Sequence, residues 1–285
     1  VQRILVLAIK TGSLLALLCA SLAAQAQNAS VQLIEDIPVN YIYAAVLGTG
    51  FYDLNGKRIT VVRMPFSSKR FEAKPEGSQW RILAPVAVGY ENMGEDNDWE
   101  MWVPNEVLTL SVIPGAEYFY QPSEKVLVKP FLQLGLGRDY SRHESTNLGI
   151  AGVRVLADLY EGRLWQFQLG NSLQWAGEKI QHREQYSSFG LYELGLNFKR
   201  QLPVKVLNRQ LNLGSYVLWQ HFFNQKNSSY PLVKPVNIDN LLQLGFTLGL
   251  SRPYSILGIG FETVSIGFSI GENGHAISLG TGFPF

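Results

Sequence analysis

From Trp165 to Trp175 the odd positions are mostly large and apolar (Trp165, Phe167, Leu169, Leu173, Trp175), and the even ones carry Gln166, Gln168, Gly170, Ser172 and Gln174. Strand side chains alternate between faces, so this stretch builds one bulky apolar face and one small or polar face. A soluble sandwich usually turns Lys, Glu or Thr to its non-core side. Glycine, serine and amides suit instead the crowded inner wall of a closed barrel whose outside meets hydrocarbon.

The same alternation recurs in about twelve segments from Tyr41 onward, separated by turn chemistry. The first is expected over 41–51 and the second over 58–67, with a long connection from Lys69 to Ser78 before a third over 79–90. Further strands are read over 107–120 and 125–137, and then through Val153, Val155 and Leu159. After the Trp165 segment come strands around Tyr192–Phe198, Leu211–Phe223 and Leu242–Leu250. The stretch 256–270 changes parity near Thr263 and Val264, which predicts a β-bulge. The last strand runs to the C-terminus, with Ile277, Leu279, Thr281, Phe283 and Phe285 on the outer face and Ser278, Gly280, Gly282 and Pro284 on the inner one. Polar loops are expected at 91–105, 138–147, 177–187 and 224–239.

Composition agrees. At 46% hydrophobic and 16% charged, with a mean hydropathy of +0.02, the chain is too polar for a helical membrane protein and low in charge for a soluble one. A formal net charge of +1 argues against nucleic acid as a partner. A soluble sandwich of similar length would have to expose Trp165, Phe167, Trp219, Phe246 and Phe283 to water on several different strands, whereas lipid accepts them all.

Arg3 and Lys10 precede the apolar run Ser13–Ala20, and Ala24-Gln25-Ala26 supplies a small-x-small cleavage site. Residues 1–26 therefore read as a secretory signal peptide, 27–40 as a short polar lead and 41–285 as the barrel, with no passenger domain expected between them. Cys19 lies inside the leader, so disulfides, Cys-based metal sites and a Cys nucleophile are not expected.

Two resemblances follow from these residues. Ser278, Gly280, Phe283 and Phe285 are similar in order to the signal read by the bacterial outer-membrane barrel-assembly machinery. The segments Ile59–Phe66, Ile113–Tyr118, Lys129–Gly137 and Gly280–Phe285 resemble the translocator barrel of autotransporters, and among those the solitary autotransporter-like barrels. The resemblance implies a monomeric, all-β, antiparallel up-and-down transmembrane barrel of about twelve strands in a Gram-negative outer membrane. Its implied partners are outer-membrane lipid and lipopolysaccharide, with the assembly machinery and periplasmic chaperones acting during biogenesis. Without a passenger, a translocation function does not carry over.

The facing rule turns Arg63, Arg81, Glu117, Lys129, Arg154, Glu193 and Glu262 into the lumen, most of them in its periplasmic half. Charges of both signs at one depth are expected to pair and brace the barrel. The alternative is a constriction selecting small solutes. His143 and Ser145, at the outer rim, are the only pair hinting at a lipid hydrolase, and no third partner is set by the sequence. No cofactor or metal site is expected, and the acidic loop from Glu91 to Glu100 lacks calcium-loop spacing. The favoured expectation is a structural or surface-interaction barrel that is not an enzyme, with a narrow pore second and the hydrolase third.

Overall fold

Alternation of this length resolves into strands whose apolar faces point away from the barrel axis. The computed structural model describes residues 41–54, 57–68, 70–73, 78–92, 107–140, 143–182, 186–206, 209–227, 238–256, 259–272 and 274–285. A short helix α1 (Tyr41–Leu47) precedes β1 (Thr49–Leu54), β2 (Lys57–Ser67), β3 (Phe71–Ala73), β4 (Ser78–Asn92) and β5 (Val107–Val112). Next come β6 (Gly115–Ser123), β7 (Val126–Asp139), β8 (Glu144–Glu161), β9 (Trp165–Ile180) and β10 (Tyr186–Val206). The order ends with β11 (Arg209–Asn227), β12 (Asn240–Ile256), β13 (Ile259–Gly271) and β14 (Gly274–Gly280).

These fourteen segments form one antiparallel sheet that closes on itself. Two pairs of segments lie end to end. β3 continues β2 along β4, the gap being spanned where the Ser68 amide donates to the Ile82 carbonyl. β5 and β6 share the space between β4 and β7, interrupted at Ile113-Pro114, where the proline lacks an amide but its carbonyl accepts from Leu134. Counting each interrupted pair once gives twelve staves. The seam pairs β1 with β14 from Thr49 opposite Leu279 to Leu54 opposite Gly274, and this joins the two ends of the sheet.

The exterior is apolar on every side of the cylinder. Leu134 is 63% exposed, Phe246 56% and Leu196 55%, and Val62, Trp80, Phe167, Trp175 and Trp219 all face outward as well. Trp165 is less exposed because it packs on Phe198 and on the Arg200 guanidinium. An exterior this greasy all round is that of a transmembrane barrel, since water would penalise each of those side chains.

Several boundaries differ from the sequence reading. Residues 41–47 form a helix, so the first strand begins only at Thr49. The expected long connection from Lys69 is interrupted by a short strand: β3 takes up 71–73, and 74–77 separate it from β4. The polar stretches 138–147 and 177–187 also pair, leaving 140–143 and 181–185 between strands. Polarity marked loops there, but polar residues beyond an apolar belt still make ladder hydrogen bonds. The parity change near Thr263 coincides with a register shift: Gly249 pairs with Thr263 and Tyr254 with Phe261, so the extra residues lie on β12.

The barrel has two mouths. The upper one carries the connections after β4, β7, β9 and β11, and the lower one carries the turns at 124–125 and 162–164 together with the C-terminal residues.

Candidate functional site in a filled lumen

The upper lumen is lined by apolar side chains on the inward parity, which a water-filled bore would not favour. Leu148 and Ile150 of β8, Phe189 and Leu191 of β10 and Phe222 of β11 are all buried there. What they bury against is α1. Ile42, Tyr43 and Ala45 are sealed into the same cluster, and the helix lies against β4, β5 and β9. The Tyr43 ring stacks on Phe189 at 4.4 Å, and its hydroxyl donates to Gln225 Oε1 at 2.9 Å. Gln225 in turn donates to the Ile238 carbonyl at 2.9 Å.

Both ends of α1 are held by the wall or by its own turn. The Ile42 amide, one of the orphan donors of a helix start, donates to Glu178 Oε2 of β9 at 3.0 Å, and a carboxylate is favoured at that end of the helix dipole. At the other end Gly48 has φ 87, the left-handed conformation that stops a helix. The Tyr52 hydroxyl donates to the freed Leu47 carbonyl at 2.7 Å.

Charge gathers lower down. Glu117 on β6 is fully buried and accepts from Arg81 Nη2 of β4 and from Arg154 Nη1 of β8, the latter at 3.1 Å. The guanidiniums also rest on rings: Arg154 lies 4.0 Å from the Phe131 centroid, and Arg81 and Arg70 lie 5.0 and 4.2 Å from that of Phe119. Lys129 is directly across the β7–β8 ladder from Arg154 and is buried. Glu193 on β10 accepts from Gln220 Nε2 at 2.8 Å. Arg63 is anchored through its backbone, where Thr49 Oγ1 donates to its carbonyl and accepts from its amide, at 2.9 and 2.8 Å. The Glu262 side chain lies outside the described residues.

The C-terminal residues also enter the lumen, which corrects the expectation for Phe283 and Phe285. β14 keeps the expected parity through Ala276, Ile277 and Leu279 and ends at Gly280. Gly282 then takes φ 128, and its backbone brackets Ser265 Oγ, which donates to its carbonyl at 3.1 Å and accepts from its amide at 3.4 Å. Past that turn Phe283 sits 5.8 Å from the inward ring of Tyr216 and 4.8 Å from Phe285. A Cβ on Gly170 would come within 2.2 Å of the Phe285 ring, and one on Gly195 within 2.9 Å of Phe283. Those glycines make the room that the two rings occupy. Ser278 stays in the wall and accepts from Gln243.

His143 and Ser145 are not brought together. His143 is exposed in the turn after β7 with φ 58, Ser145 lies in β8 opposite Arg138, and no hydrogen bond joins the two side chains. No group of three metal-ligating side chains occurs among the described residues.

No family profile and no curated protein matches the sequence. The fold is similar to the crystal structure of the beta domain of the Bordetella autotransporter BrkA, with a TM-score of 0.55 at 12% identity over 81% of this chain and 94% of that one. The closed barrel of twelve staves thus has the fold of an autotransporter β domain.

Proposed function

We propose that this barrel resides in the outer membrane of a Gram-negative bacterium, exported by the 1–26 leader, and serves there as a structural or surface-interaction element with a closed bore. One observation carries the reading: α1 is sealed among inward apolar side chains, with Ile42 0%, Tyr43 3% and Ala45 1% exposed. The apolar belt would meet lipid and the lipid portion of lipopolysaccharide. The upper mouth would face the cell exterior, where the connections 93–106 and 228–237 are long enough to offer a contact surface. Ser278, Gly280, Phe283 and Phe285 would be read by the assembly machinery before folding turns the two rings into the lumen.

Planar-bilayer recording tests the closed bore. The full chain is expected to be silent, and an Ile42→Asp/Tyr43→Asp protein to give conductance steps, because two carboxylates cannot stay in that apolar cluster. Steady steps from the unaltered chain would overturn the reading. The narrow-pore alternative draws support from the space beside the charge cluster, where the side chains of Arg81 and Arg154 keep 30% and 21% exposure. It predicts steps from the unaltered chain that change in size in Arg154→Ala or Glu117→Ala proteins.

A further inference from the structure

The cations of the lower lumen outnumber the carboxylates that could neutralise them. Lys129 lies within electrostatic reach of Glu117, Arg154, Arg81 and Arg70, which places four positive side chains around one negative one. Glu117 already serves two of them, through one nitrogen of Arg81 and one of Arg154. Lys129, only 7% exposed, makes no ion pair or hydrogen bond among the described residues. Arg81 Nε is likewise buried and has no partner. Glu193 accepts a hydrogen bond from Gln220 and lies within electrostatic reach of Arg154 without an ion pair to it, and Glu72, near the lower mouth, forms no ion pair among the described residues.

A buried guanidinium N–H without a partner is costly, as is a largely buried lysine without a counter-ion beside it, and an anion held between the two would offset that cost. The donors suit an oxyanion. A guanidinium edge presents parallel N–H groups, and a lysine adds a point charge beside it. Access is present too, since Arg70 is exposed at the gap between β2 and β3 and the Arg81 side chain is 30% exposed.

We propose that the lower lumen is a binding site for a phosphate-type oxyanion, held by Arg81 Nε, Lys129 and the free N–H groups of Arg154, with Arg70 guiding entry. The site stands whether or not the bore conducts. Free inorganic phosphate and the headgroup of a lipid both carry the required group, so both are tried.

The test is thermal unfolding of the full chain refolded in uncharged maltoside micelles at constant ionic strength, titrated with inorganic phosphate or with short-chain phosphatidic acid. Inorganic phosphate is expected to raise the unfolding temperature saturably, with at least tenfold weaker apparent affinity in Lys129→Met and about threefold weaker in Arg70→Gln. Without phosphate, Lys129→Met should unfold at a higher temperature than the parent, because it removes an unpaired charge from a largely buried side chain while conserving bulk. A response to phosphatidic acid alone, abolished by the same variants, would uphold the site and assign it to a lipid headgroup. No response to either ligand, or an equal response in both variants, would overturn the site. So would a Lys129→Met protein less stable than the parent without phosphate, which would mean that Lys129 is paired.

Discussion

The same strands line both halves of the lumen, yet β10 turns Phe189 and Leu191 inward above and Glu193 and Asn197 inward below, while β8 changes from Leu148 and Ile150 to Arg154. Above, apolar side chains that face a bore need something apolar from the same chain, and α1 supplies it. Below, side chains from β4, β6, β7 and β8 mostly answer one another, with Glu117 at the centre. The upper half is therefore held by contact area that many residues share, and the lower half by one carboxylate.

If that contrast is right, the largest single loss belongs to the lower half. Glu117→Ala strands two guanidiniums that share a fully buried partner, and breaking a buried ion pair from one side costs about 3–5 kcal/mol. Urea unfolding of refolded protein in detergent or lipid reads it, and a loss below roughly 1 kcal/mol would mean that water supports the cluster without the carboxylate. Tyr43→Ala comes next. It removes a buried ring stacked on Phe189 together with the hydrogen bond to Gln225, and truncating a buried aromatic costs about 3 kcal/mol. A loss this large would be accompanied by leakage currents if the helix is the upper seal. A silent, equally stable variant would show that Ile42 and Ala45 suffice.

How much of this was legible follows from the same contrast. The outer face was, because period two sustained over ten or more residues has few other readings, and Leu134, Phe246 and Trp219 are exposed where parity put them. Parity also placed Arg81, Glu117 and Arg154 on one side, although nothing in the sequence says that Glu117 bridges the other two. The helix was hidden because Tyr41–Leu47 is an unbroken run of seven apolar residues, and so short a run has no period that separates a helix from a buried strand. Its signal lay elsewhere, in Phe189, Leu191 and Phe222 on the inward parity, an apolar patch with no place in an empty bore. The tail misled because alternation continues formally through Phe283 and Phe285. Gly282 breaks the strand before either ring, and the sequence carries no sign of the direction the chain then takes.

Glu178→Gln sharpens the comparison at lower cost. It keeps an acceptor for the Ile42 amide but removes the charge that complements the helix start, a difference of about 1 kcal/mol. The effect should disappear when α1 is already displaced by Ile42→Asp/Tyr43→Asp. A loss that persists there would assign Glu178 a role in the wall alone.

The smallest effect falls where the contrast is blurred, since the lower half also holds an aromatic cluster, that of Tyr216, Phe283 and Phe285. Phe285 is only partly buried, so Phe285→Ala should cost about 1–2 kcal/mol, less than a fully buried ring. Gly170→Val should cost a similar amount, because its side chain would enter space that the Phe285 ring already fills. Combined, the two changes should cost clearly less than their sum, by about 1 kcal/mol, since a tail already without its ring no longer clashes with the valine. Strict additivity in unfolding midpoints would place the ring away from Gly170, leaving the lower half to charge alone and the contrast between the halves complete.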